Sequence, residues 1–259
     1  MRHGPDDDPS RRQFSALSLV ATLVSAGLIA LGTYAEDLTL TLALVVCGAA
    51  LAWGWPVLTD APSPRGSSWV LTVGVAAVGI VTMTARDQGG PRWLASALAI
   101  GLAVAFLHEL LRPPPRARLV ASISSAALGL IVLGGGSFYL ESLVDFAGRR
   151  VVLAALAGVA LGAVADAALH RSRGLAEWAL PIGLVLGGAA GFGIAQATGV
   201  QWNVVLVAAM AAAAVGHGVR WLLGSLPGAV EAPAAIALGV GPVLLAGIVP
   251  YAALWVFVR

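Results

Sequence analysis

Nine long apolar stretches, separated by short connectors that hold nearly all the arginines and prolines, run from Phe14 to the last residue of this chain. A bilayer core of about 30 Å needs roughly 20 apolar residues per helical span. The pattern predicts an all-α fold, a polytopic integral membrane helix bundle with about nine transmembrane helices. The expected spans cover about 14–33, 38–58, 68–85, 93–111, 119–136, 150–169, 177–197, 201–223 and 233–257 of the chain.

With 59% hydrophobic and 11% charged residues and a mean hydropathy of +0.89, the composition leaves no room for a soluble domain. The expected organisation is a short polar cytoplasmic N-terminus over 1–13 and a single transmembrane domain over 14–259. The net charge of +2 is spread over the connectors, and nucleic-acid binding, which needs clustered phosphate contacts, is not expected. The one cysteine, Cys47, lies inside an apolar stretch and reads as a small packing residue.

All 15 basic residues are arginine, as GC-rich bacterial coding would give, which points to a bacterial plasma (inner) membrane. With the N-terminus inside, ten arginines fall on the cytoplasmic side (Arg2, Arg11, Arg12, Arg65, Arg112, Arg116, Arg118, Arg171, Arg173, Arg220) and five outside (Arg86, Arg92, Arg149, Arg150, Arg259). The positive-inside bias therefore favours a cytoplasmic N-terminus. Ser10-Arg11-Arg12-Gln13-Phe14 resembles a twin-arginine export signal. The first span is too long for a typical signal core, and the better reading is an uncleaved first helix.

Breakers and aromatics support the segmentation. Asp60 to Gly66 and Arg112 to Arg116 are proline-rich and read as tight connections that cannot continue a helix. All eight tryptophans fall near expected span ends, where the indole prefers the headgroup boundary. Residues Gly134 to Phe146 read as an outside connector, opened by a triple-glycine linker and lying on the membrane surface as a short amphipathic helix. Pro62-x-Pro64-Arg65 recurs as Pro113-x-Pro115-Arg116, a weak hint of a repeated hairpin.

Taken every fourth residue, three spans show small-residue stripes ending in an ionisable group. They are Ala97, Gly101, Ala105, Glu109; Ala154, Gly158, Gly162, Asp166, His170; and Ala209, Ala213, His217. Small residues let helices approach closely, so Gly101, Gly158 and Gly162 are expected to face other helices, with Gly183, Gly187 and Gly191 as a counter-surface. Charge inside a span costs at least ~2.5–3.5 kcal/mol at the bilayer centre and often marks function.

The polar-site candidates are thus His108, Glu109, Asp166, His170, His217 and Arg220, with a carboxylate as proton or cation acceptor and a histidine as titrating partner. The alternative is a set of interfacial pairs that fix helix ends, His170 being the i+4 neighbour of Asp166. Asp166, His170 and His217 could in principle ligate a metal, but one Asp-x-x-x-His is common by chance, and neither metal nor cofactor is expected.

Walker, His-Glu-x-x-His and Gly-x-Ser-x-Gly motifs are missing from the sequence, as are the paired-aspartate motif of CDP-alcohol phosphotransferases and the Gly-x-Ser-Gly of rhomboid proteases. The function expected first is permease-like handling of a small solute or lipid, an apolar substrate fitting best because the mid-bilayer region is nearly free of charge. The alternatives are a non-catalytic subunit of a larger membrane assembly and a membrane-embedded lipid-modifying enzyme. The implied partners are membrane lipids and, through the small-residue faces, other subunits or a homo-oligomer.

Overall fold

The computed structural model describes residues 15–35, 37–84, 91–114, 118–170 and 174–258. The expected tail over 1–13, and Arg86, Arg116, Arg171, Arg173 and Arg259, lie outside the described residues. Ten α-helices follow one another: α1 Ala16–Gly32, α2 Asp37–Leu58, α3 Pro64–Thr84, α4 Pro91–Leu111, α5 Leu119–Ser142, α6 Gly148–Leu169, α7 Ala179–Thr198, α8 Trp202–Gly224, α9 Ala232–Leu245 and α10 Ile248–Phe257. Among the described residues eight helical segments, α9 and α10 counting together, are long and apolar enough to cross a membrane, and α1 is a shorter apolar helix of 17 residues.

Local chemistry sets the ends. Ser15 caps α1 by accepting a hydrogen bond from the Ser18 amide at 3.1 Å. Pro64 and Pro91 are the first residues of α3 and α4. Proline is preorganised for that position, where its missing N–H is no loss, so these prolines begin helices and the Asp60–Gly66 connector is shorter than the sequence suggested. Gly199, at φ +69°, ends α7 in the left-handed conformation that glycine adopts without strain.

Helices α6, α7 and α8 pack on one another, α2 to α5 form a second group, and α9 lies between them against α1, α2, α5 and α8. Lipid tails are as apolar as leucine, so close approach and interhelical hydrogen bonds hold such a bundle together. Thr22 donates to the Gly239 carbonyl at 3.0 Å, Trp55 Nε1 to Ser125 at 2.9 Å and the Tyr139 hydroxyl to Val243 at 2.7 Å. Each such bond contributes about 0.6 kcal/mol. Trp55 is fully buried, a correction to the expectation that every tryptophan sits at the headgroup boundary; its indole N–H is satisfied inside the protein.

Two further expectations are corrected. The triple glycine is not a linker: α5 runs unbroken through Gly134-Gly135-Gly136 to Ser142, and all three glycines are buried. A Cβ at Gly135 would lie 2.9 Å from Leu245 Cα, and one at Gly136 would lie 2.8 Å from Leu244 Cδ2. The run is therefore the notch into which the end of α9 packs. The last expected span, 233–257, is broken at Ala246-Gly247 into α9 and α10. Pro250 has no N–H for the Ala246 carbonyl, and its ring crowds that carbonyl, which is where the helix yields.

Close pairs place the helix ends on two faces. Asp60, after α2, pairs with Arg118, before α5; Gly66 on α3 underlies His108 on α4; and the turn after α8 lies against Val57 at the end of α2. At the opposite face Arg149, opening α6, lies over the Tyr34 ring beyond α1.

Candidate functional site

The six candidate polar residues share one face but belong to two clusters. On α6 and α8, Asp166 is fully buried in the last turn. His217 and Arg220, one turn apart on α8, lie on the face toward it. Asp166 Oδ1 is 2.6 Å from His217 Nδ1, and Oδ2 accepts from Arg220 Nε at 2.8 Å with Nη2 at 2.7 Å. Charge-assisted bonds of this kind are roughly twice as strong as neutral ones.

Glycines make room for this arginine. A Cβ at Gly216 would stand 3.2 Å from Arg220 Nη1, and one at Gly162 would stand 3.4 Å from Nη2. Nη1 is buried without a hydrogen-bond partner, and Nη2, though 2.7 Å from Oδ2, is not aligned to bond it. His170 Nδ1 is 3.0 Å from the Asp166 backbone carbonyl, while the carboxylate turns across to α8. Asp166, His170 and His217 thus do not converge as ligands, and among the described residues no group of three such side chains is arranged to hold a metal ion.

The second cluster joins α4 and α5. Glu109, 3% exposed, accepts from Ser122 Oγ at 2.6 Å and from Arg112 Nη1 at 3.2 Å, with its other oxygen 3.1 Å from Arg112 but poorly aligned. His108 lies over Gly66, where a Cβ would overlap the imidazole, and its Nε2 is buried without a partner. Glu109 and Asp166 sit in different helix groups, Glu109 held by Ser122 and Arg112 and Asp166 by His217 and Arg220.

The glycines occupy the seams between helices. Gly158 meets the Ala209 carbonyl, Gly183 lies 3.3 Å from Gly162 Cα when given a Cβ, Gly187 similarly 3.1 Å from Ala209 O, and Gly191 2.8 Å from Val205 O. Gly101 meets Leu130 of α5, where a Cβ would stand 2.7 Å from Cδ2.

A third feature, absent from the sequence reading, is a crevice between α2, α3 and α5. A mouth of about 760 Å³, bounded by Asp37, Leu38, Thr41, Thr82, Met83 and Val144, opens at the Arg149 face. Thr41 and Thr82 also line a narrow inner part that continues past Gly48, Val75, Ser137 and Leu244. That part is narrow, with a cavity volume of only about 20 Å³, room for about one water molecule. Its hydroxyls are spent on their own helices: Thr41 donates to Asp37 O at 2.9 Å, Thr82 to Val78 O at 2.9 Å and Ser137 to Gly134 O at 2.7 Å. No sequence motif marks these three residues, because self-satisfied hydroxyls occur throughout apolar helices.

The fold and these features define a multi-pass membrane helix bundle with paired ionic clusters at one face and an apolar crevice entering from the other. Comparison with protein-family models, curated proteins and solved structures found no match to this chain.

Proposed function

We propose that this chain is a permease-like membrane protein that handles an apolar or lipid-like molecule through the crevice between α2, α3 and α5. The supporting observation is the continuity of a wide mouth with a narrow inner part at Thr41 and Thr82. The inner walls carry no ionisable side chain, and their hydroxyl donors are already engaged. A charged solute would lose its hydration there with nothing in exchange, whereas an acyl chain has none to lose and needs only that α2, α3 and α5 part to widen the gap.

The test is reconstitution into vesicles with a fluorescent, uncharged acylglycerol and measurement of its movement between leaflets. Wild-type protein accelerates it, Thr82→Phe returns it to the protein-free rate by plugging the junction, and the near-isosteric Thr82→Val keeps it. Equal rates for Thr82→Phe and wild type would remove the crevice from the path.

A second reading, a non-catalytic subunit, is favoured by one observation: Ala189, Gly193 and Ala197 form an exposed stripe of small residues on α7, and a Cβ at Gly193 would meet nothing within 4 Å. Such faces suit helix partners in a membrane. Purification in mild detergent with mass spectrometry of the isolate decides between them, a stoichiometric protein partner supporting the subunit and a lone protein with one enriched lipid supporting the permease. The lipid-modifying enzyme needed one cavity joining Glu109, Asp166 and the histidines, and their separation into two closed clusters speaks against it.

A further inference from the structure

We propose that the recess at the Arg149 face, between the start of α6, the α7–α8 turn and the end of α10, binds the phosphate of an anionic phospholipid, with Arg150 as the selecting charge. The recess holds about 510 Å³. Its rim carries Thr198, Gly199 and Gln201, and its wall carries Val204 and Phe257.

Among the described residues Arg150 has no carboxylate partner. Its guanidinium lies 5.1 Å from the centre of the Phe146 ring, and its one hydrogen bond, 3.5 Å to the Phe146 carbonyl, is at the limit of what counts as a bond. Asp145 nearby has an interaction of its own. The remaining guanidinium donors are available to a phosphate, which arginine grips by its fork geometry. Gln201 makes no side-chain cap on α8, so first-turn amides at the rim add to the same preference.

The apolar wall selects a lipid over a free anion. Trp202 and Trp255, both exposed, stand at this end of α8 and α10, at the depth where indoles meet headgroups. A basic recess at that level with valine and phenylalanine beside it accepts a headgroup and the start of its chains together.

Native mass spectrometry of the full chain, released from nanodiscs of mixed phosphatidylglycerol and phosphatidylcholine, tests this. Wild-type protein retains one phosphatidylglycerol preferentially, and Arg150→Gln lowers its occupancy roughly five-fold, the factor expected for one basic residue at an anionic surface. Thr198→Phe, which fills the recess and spares the arginine, gives a similar loss, while Arg149→Gln, whose guanidinium lies over Tyr34, retains the lipid. Inorganic phosphate added to the detergent-solubilised protein leaves its melting temperature unchanged. Wild-type occupancy in both Arg150→Gln and Thr198→Phe overturns the proposal, and so does Arg150-dependent stabilisation by phosphate alone, which would make the ligand a soluble anion.

Discussion

Asp60 and Arg118, the two non-glycine residues of left-handed backbone among those described, are joined to each other by an ion pair of 2.8 Å. Each ends or begins a proline-rich connection, at φ 48° and 57° respectively, and together they tie the loop after α2 to the start of α5. The side chains are 59% and 50% exposed, so the pair itself contributes under about 1 kcal/mol. Backbone conformation should matter more. Asp60→Asn, which tolerates the left-handed region, should leave the melting temperature nearly unchanged, whereas Asp60→Val should cost about 1–3 kcal/mol. Thermal unfolding of the two purified variants checks this; equal stability would show that the loop relaxes.

The buried Asp166–Arg220 pair carries a larger penalty when broken than when replaced. Asp166→Ala leaves the guanidinium buried and unpaired, for an expected loss of about 3–5 kcal/mol, while Asp166→Leu combined with Arg220→Met should recover most of it. Thermal unfolding of Asp166→Leu, Arg220→Met and their double variant gives the coupling. If Asp166 also carries protons, Asp166→Asn abolishes a proton-linked flux with the amount of folded protein unchanged; parallel loss of both assigns it a structural role.

Eight of the nine expected spans, and the small-residue faces, were legible because they depend on periodicity alone, with hydropathy marking the helices and every fourth Gly or Ala marking a face. Which ionisable groups would meet was less legible. Three stripes ending in Glu109, Asp166 and His217 gave the common face, but pairing depends on helix rotation, and it is rotation that turns the Asp166 carboxylate across to His217 and Arg220 of α8. The glycine run at 134–136 was misread because glycine serves equally at a hinge and at a close crossing, and only the position of Leu244 and Leu245 separates the two. The crevice, built from self-satisfied threonines of separate helices, left no local signal.

Seam and surface glycines should part sharply on substitution. Gly158→Leu places side-chain atoms against the Ala209 backbone and should prevent α6 and α8 from docking, seen as loss of monodisperse protein in detergent. Gly193→Leu points into open space and should leave the isolated bundle intact. If α7 instead seats a partner, Gly193→Leu keeps the fold and loses the co-purifying protein.

The notch in α5 offers a finer test, because two adjacent glycines face neighbours of different stiffness. A Cβ at Gly134 would come within 3.2 Å of Leu98 Cδ1, the tip of a flexible side chain that can rotate away. At Gly135 the nearest atom is Leu245 Cα at 2.9 Å, backbone at the break between α9 and α10, which is itself held where Gly247 meets the Gly135 carbonyl. Gly134→Ala should therefore be close to neutral, while Gly135→Ala should cost about 1–3 kcal/mol as the break is pushed out of its seat. Thermal melts of the two variants in one detergent provide the comparison. Equal melting temperatures would mean that α10 and the end of α9 move as freely as a leucine side chain.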